Sequence, residues 1–280
     1  MDGNKGATTF RTAEMYCRRV QLLSKEKIAE RYFRIAFECE EIAREARPGQ
    51  FLMVRLLNPS WEYLLSRPFS FCTVEGRRIE LFFEVVGKGT QSLSQAREGA
   101  TLEVLGPLGN GFDFETVSRP VLVGGGMGIA PLPFLASELA SKIRLQGITV
   151  LLGARTKSAL CLRDDFARLG TTLRIATDDG TEGHKGPVTD LLERELESGR
   201  SDVPAVFACG PGPMLKAVAE LTRNHDVPCQ LSVEERMACG VGACMGCPCK
   251  TRDPSGDLHF KRVCVEGPVF DARELVFDEH

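Results

Sequence analysis

Three cysteines crowded into one glycine-rich loop constrain this chain more than any other feature. Positions 239–250 read CGVGACMGCPCK, so Cys239, Cys244 and Cys247 follow C-x4-C-x2-C spacing, and Cys264 in KRVCVEG is a candidate fourth ligand. This is the plant-type spacing for a [2Fe–2S] cluster, in which four thiolates hold two bridged irons. A loop around such an anion must turn tightly and aim N–H groups inward, which Gly240, Gly242 and Gly246 permit. Structural zinc is the first competing reading, but zinc ribbons bring two separated C-x2-C knuckles rather than three ligands in one loop. Disulfides are the second, opposed by an odd total of 11 cysteines and by the lack of a secretory signal. Cys249, two residues after Cys247, competes with Cys264 to complete the set. A chain holding this cluster moves electrons one at a time.

The 280 residues suffice for two medium domains or three small ones. With 43% hydrophobic and 26% charged residues, the composition is that of a soluble globular protein. A formal net charge of -3 gives no basis for nucleic acid or an anionic membrane as partner. The polar segment 1–15 reads as a flexible tail without the apolar core of an export signal. The longest uncharged stretch, Pro120 to Ser137, is broken by glycines and by Pro131 and Pro133. It suits a strand, turn and helix start better than a bilayer span. Reduced thiols and no export signal predict a cytoplasmic location.

The rhythm of the chain changes twice. Over 16–117, short runs such as FRIAFEC, FLMVRLL, RPFSFCTV, RIELFFEVV and TLEVLGPLG alternate with turns, predicting a small antiparallel β-barrel with one short helix near Thr90 to Arg97. Over 118–226, strands PVLVGGG, ITVLLGA, LRIAT and AVFACG alternate with helices PLPFLASELASKIRL, ALCLRDDFARL, VTDLLERELES and GPMLKAVAELTRNH. That alternation predicts an α/β domain on a parallel sheet, with ligands at the carboxyl ends of its strands. Residues 227–280 then form a small cysteine domain.

Two further sites are suggested. Gly124, Gly125, Gly126 and Gly128 follow the first strand of the α/β domain, where a pyrophosphate can approach the backbone. The loop is not G-x-G-x-x-G, so the fingerprint alone is weak, and a tight structural turn is the competing reading. Cys209, Gly210 and Pro211 close the fourth strand, and on a parallel sheet they can face the same crevice. On the barrel, Arg67-Pro68-Phe69-Ser70 is followed by Gly87-Lys88-Gly89-Thr90, which supplies a cation, a hydroxyl and a glycine turn but names no cofactor.

In order and spacing, RPFS, GKGT, GGGMGIAP and CGPGPM resemble the ferredoxin–NADP reductase superfamily. The appended ERMACGVGACMGCPCK…RVCVEGPVFD is similar to the electron-transfer subunits of type B dihydroorotate dehydrogenases, and the resemblance runs from about Tyr16 to the C-terminus. It implies that Arg67 holds the pyrophosphate of FAD, that Pro68, Phe69 and Ser70 line the flavin, and that Phe82, Phe83 and Glu84 add contacts. Gly89 and Thr90 would bind phosphate. The glycine loop and the Cys209–Pro211 turn would take NAD, and Cys239, Cys244, Cys247 and Cys264 the cluster. The implied partner is an FMN-containing dihydroorotate-oxidising subunit, in a heterotetramer with two copies of each chain. Electrons would pass from it through the cluster and FAD to NAD+ in pyrimidine biosynthesis. FAD is the adaptor that such a route needs, since it takes single electrons and yields a hydride. The alternative is the small subunit of a ferredoxin:NADP oxidoreductase or sulfide dehydrogenase, relatives that tend to carry aspartate where this chain has Cys239. Arg155 and Lys157 follow the second strand, and either could meet a 2′-phosphate or be an ordinary loop charge.

Overall fold

A computed structural model of the protein describes residues 14–57, 65–142, 147–198 and 202–277. The tail assigned to 1–15 therefore lies outside the described residues except for Glu14 and Met15. The first unit contains β1 (Tyr16–Gln21), β2 (Ser24–Lys27), β3 (Tyr32–Glu38), α1 (Glu40–Glu45), β4 (Phe51–Leu56), β5 (Arg67–Glu75), β6 (Arg78–Glu84), α2 (Lys88–Gln95) and β7 (Thr101–Leu108). Its strands form one antiparallel sheet in the order β1-β7-β4-β5-β6-β3-β2. Helix α1 has no counterpart in the sequence reading, because six residues are too few to display a helical period.

The sheet is apolar on both faces, and β6 shows why. Neighbouring side chains on a strand point to opposite faces. Phe83 enters the core enclosed by the sheet, and Phe82 enters the core shared with the next unit. Phe71 and Cys72 on β5 divide in the same way. In return, Phe134 from the second unit packs edge-on against Phe71, with ring centroids 6.4 Å apart. Above this seam, Arg34 on β3 reaches Asp165 across the interface at 2.7 Å and Glu80 at 3.6 Å.

The second unit comprises β8 (Pro120–Gly125), α3 (Leu132–Lys142), β9 (Thr149–Ala154), α4 (Arg163–Arg168), β10 (Thr172–Thr177), β11 (His184–Lys185), α5 (Val188–Leu196), β12 (Ala205–Cys209), α6 (Gly212–Asn224) and β13 (Cys229–Ser232). The strand order is β11-β10-β9-β8-β12-β13, all parallel. The chain winds outward from β8 on one side and from β12 on the other, so the crevice between those two strands is the topological switch point. Helix α4 is shorter than ALCLRDDFARL suggests. Leu162 takes a left-handed φ of 59°, which buries Cys161 and Leu162 against the seam and delays the helix to Arg163.

Under this sheet, Glu195 is fully buried between Arg119 at 2.6 Å and Arg174 at 2.9 Å. Removing one partner of a buried pair strands the other, at a cost of about 3–5 kcal/mol. Glu195→Ala is therefore expected to lower the urea midpoint of unfolding by a corresponding amount, while Arg174→Ala, at the more exposed partner, costs less.

The remaining chain holds the cysteine loop, the hairpin β14 (Pro248–Arg252) and β15 (Leu258–Arg262), and β16 (Val269–Asp271). β16 pairs antiparallel with β13, so these two of the four strands inside the stretch 227–280 extend the parallel sheet. Cys247, Val263, Cys264 and Phe270 share one core with Leu231 of the second unit and with Phe51, Met53 and Leu108 of the first. The cysteine segment is thus built onto the other two units. Among the described residues no helix is long and apolar enough to cross a membrane.

Candidate cofactor sites

The cysteine loop turns through positive φ at Gly240 (72°), Gly242 (80°) and Met245 (55°). Gly246 serves differently: a Cβ there would lie 3.3 Å from Cys244 Sγ. The thiols fall into two pairs. Cys239 interacts with Cys244, and Cys264 with Cys247. The second pair is closed by the Val263 N–H, which donates to the Cys247 carbonyl at 2.9 Å. Together the two pairs would supply the four thiolates that a [2Fe–2S] cluster takes.

Backbone donors face these sulfurs. Val241 N–H lies 3.4 Å from Cys239 Sγ, and the N–H groups of Ala243 and Cys244 also point there. Burial raises the Cys239 thiol, but these donors and the Cys244 thiol outweigh it and bring the pKa down to about 6. Cys264 is pushed up to about 12, by burial first and then by the hydrogen bond and charge of Cys247, against a Gly242 N–H that favours the thiolate. Donors aimed at sulfur fit an anionic cluster.

Cys249 belongs to neither pair. It stands opposite Lys261 in the hairpin, among Glu235, Lys261 and Cys247, and it packs on the shared core. Burial pushes its thiol to about 11.

The RPFS strand runs beside β4, pairing Val54 with Arg67, Met53 with Pro68, Leu52 with Phe69 and Phe51 with Ser70. Arg67 lies across the start of α2, where a Cβ on Gly89 would fall 2.3 Å from its Nε. A guanidinium over a helix N-terminus suits a diphosphate, so the residues present fit the pyrophosphate of a flavin dinucleotide. The Thr90 hydroxyl is engaged within the turn: it accepts from Val86 N–H at 3.0 Å and Gly87 N–H at 3.2 Å and donates to the Gly87 carbonyl. Of the β6 residues assigned to the flavin, Phe83 packs edge-on against Phe69 inside the first unit, 5.6 Å between centroids. Phe82 stacks beneath Tyr32 at 5.9 Å. Only Glu84 reaches an open cleft, with Arg31 3.5 Å from its carboxylate.

That cleft, of about 510 Å³, lies at the carboxyl ends of β8, β9 and β10 and is lined by Gly125, Gly126, Met127, Gly153, Pro211 and Met214. Tyr32 and Glu84 form its opposite wall, so the first unit faces the dinucleotide crevice directly. The glycines divide the work. Gly125 and Gly126 line the cleft, whereas Gly124 makes room for Leu132. Gly128 lets its loop rest on the Cys209–Gly210 backbone, since a Cβ there would stand 2.3 Å from both. Cys209 itself is buried, and burial drives its thiol far above the usual range. Arg155 lines the cleft together with Asp178, while Lys157 turns to Glu182 at 3.3 Å. Tyr32 and Asp178 escaped the sequence reading, whereas Met214 is the last residue of the CGPGPM motif. Only Asp178, an acid just past a strand end, carried a signal there.

Comparison with known proteins agrees with this layout. Residues 234–276 match the family model of the iron-sulfur cluster binding domain of dihydroorotate dehydrogenase B, and residues 122–220 match that of the oxidoreductase NAD-binding domain. The chain is 40% identical over 259 residues to the dihydroorotate dehydrogenase B (NAD(+)) electron transfer subunit of Caldanaerobacter subterraneus subsp. tengcongensis, covering 92% of this chain and 98% of that one. The chain belongs to this family. The electron transfer subunit of Bacillus caldolyticus is 42% identical, with the same two coverages of 92% and 98%. Among solved structures, a chain from an NADH-dependent reduced ferredoxin-NADP oxidoreductase, described for flavin-based electron bifurcation, superposes with a TM-score of 0.78. It is 34% identical, over 92% of this chain and 89% of that one. The Amycolatopsis cytochrome P450 reductase GcoB shares the fold alone, with a TM-score of 0.64 at 22% identity over 76% of this chain and 67% of that one. An antiparallel sheet, a parallel nucleotide-binding sheet and a C-terminal iron-sulfur binding segment are thus all present in this chain.

Proposed function

We infer that this chain carries electrons from a dihydroorotate-oxidising partner subunit to NAD+, through a [2Fe–2S] cluster held by Cys239, Cys244, Cys247 and Cys264 and through FAD held at Arg67–Ser70 and Gly89–Thr90. The observation that carries this reading is contiguity. Gly240 in the cysteine loop packs on Met53, a Cβ at Gly240 falling 2.5 Å from Met53 Cγ, and Met53 pairs directly with Pro68 of the flavin strand. The wall formed by Tyr32 and Glu84 joins that same unit to the dinucleotide cleft, which Gly125, Gly126 and Pro211 line, while Gly124 packs on Leu132 and Gly128 on the Cys209–Gly210 backbone. Bound flavin would supply the change from single electrons to a hydride pair. The protein's residues bind and space the carriers. Arg67 offsets phosphate charge, the backbone N–H groups stabilise the cluster thiolates, and the seam of Phe71, Phe82 and Phe134 fixes the two units together. With Thr90 Oγ1 engaged in its turn, phosphate contact falls to backbone N–H groups at Gly89 and Thr90.

The partner is an FMN-containing catalytic subunit in a complex with two copies of each chain. Units 16–117, 118–226 and 227–280 divide the labour as flavin, nucleotide and cluster segments, and the complex works in the cytoplasm. A second reading, as a subunit of a ferredoxin:NADP oxidoreductase, is favoured by the superposition at 34% identity. The two separate by donor. The anaerobically reconstituted chain, mixed with a dihydroorotate-oxidising FMN protein, is expected to form NADH from dihydroorotate only in the mixture. NADPH formation from reduced ferredoxin, with no transfer from dihydroorotate, supports the second reading instead.

A further inference from the structure

Beside the cysteine loop stands an ion pair with unusually complete geometry. Arg262 donates its backbone N–H to Glu266 Oε2 at 2.6 Å, Nε to the same oxygen at 3.2 Å, and Nη2 to Oε1 at 2.5 Å. The remaining arm, Nη1, donates to the Gly242 carbonyl in the cysteine loop at 3.1 Å.

The Gly242 carbonyl and the Ala243 N–H belong to one planar trans peptide, so they point in opposite directions. Holding the oxygen on Arg262 turns the Ala243 N–H towards Cys239, where it is found. The preceding N–H, of Gly242, faces Cys264. One guanidinium thus orients a peptide that serves one thiol pair, next to an N–H that serves the other. The space for this arm exists only because position 242 is glycine: a Cβ there would lie 3.1 Å from Nη1 and 2.6 Å from Val265 Cγ2.

We propose that Arg262 and Glu266 form a positioning and charge-setting pair for the cluster, with Arg262 fixing the Gly242–Ala243 peptide and Glu266 holding and neutralising Arg262. This rests on the reading that the four cysteines hold a [2Fe–2S] group. A cation near the cluster favours its reduced form and raises its potential, and an anion does the opposite. Both side chains are about one-third exposed, so added salt weakens the effect.

The test is a reductive titration of the reconstituted full chain, followed by electron paramagnetic resonance, with iron and labile sulfide measured on the same samples. Glu266→Gln, which leaves the guanidinium uncompensated, is expected to move the cluster midpoint to more positive potential. Arg262→Gln is expected to move it to more negative potential and to speed iron loss to a chelator severalfold. Arg262→Lys keeps the charge without the planar fork, so its midpoint should stay near that of the parent while iron is still lost faster. If Arg262→Gln fails to load, the Glu266→Gln and Arg262→Lys results decide. Midpoints that are unmoved, or that shift in the same direction in both glutamine variants, overturn the proposal. A parent chain without iron and labile sulfide overturns the cluster reading itself.

Discussion

Cys264→Ser is expected to abolish the iron–sulfur absorption of the reconstituted chain and its labile sulfide, while Cys249→Ser keeps both. The reason is placement. Cys264 returns from the hairpin onto Cys247, held by the Val263–Cys247 hydrogen bond, and it receives the Gly242 N–H. Cys249 instead sits on β14 beside Lys261 and Glu235, packed on the core that joins the three units. Serine at 264 leaves the set of four thiolates incomplete, and the cluster is not held. The proposed flavin contacts on β5 and α2 include none of the cysteines, so the Cys264 variant should retain NADH-dependent reduction of an artificial dye. Loss of sulfide in Cys249→Ser with retention in Cys264→Ser would reverse the assignment.

Gly128→Ala is expected to cost about 1–3 kcal/mol of stability and to reduce NADH oxidation by about tenfold or more, with flavin content unchanged. The added methyl would lie 2.3 Å from the carbonyl carbon of Cys209, 2.3 Å from Gly210 N and 2.4 Å from Cys209 O. All three are backbone atoms, so no side-chain rotation relieves the contact. The loop must lift or the end of β12 must move, and either change displaces Pro211 on the cleft wall. Gly170→Ala, outside the cleft, is the control. Its Cβ meets open space, so the cost is confined to a left-handed φ of 68°, about 1 kcal/mol. Equal loss of NADH oxidation in both variants would mean that the Gly128 contact does not shape the cleft.

The two main layers were legible because their signals are local. Alternation in RIELFFEVV is a property of neighbouring residues, as is the succession of apolar runs and helical stretches after Arg119. The cysteine loop was legible for the same reason, its spacing being set within nine residues. Legibility stopped where a residue's role depends on what lies across an interface. Phe82 and Phe83 are adjacent and both apolar, yet one packs below Tyr32 at the seam and the other inside the first unit. The apparent helix ALCLRDDFARL loses its first turn because Cys161 and Leu162 fill that seam. Strand β13, inside the stretch assigned to the cysteine unit, instead completes the parallel sheet, since its partner β12 is twenty residues upstream. Tyr32 was invisible as a cleft residue because it lies on the opposite unit from the nucleotide glycines.

By itself, the sequence determined that this protein has an antiparallel β unit, a parallel α/β sheet and a cysteine loop able to hold a two-iron cluster. Those conclusions follow from periodicity and spacing within short segments. Tertiary structure decided the sorting of thiols into pairs, the placement of Cys264 against Cys247, and the exclusion of Cys249 from both pairs. It also decided that the three segments share cores and that Arg262, twenty residues from Gly242, orients the loop. Each of these rests on contacts between residues distant in the chain, whose energies depend on burial and direction that no local pattern encodes.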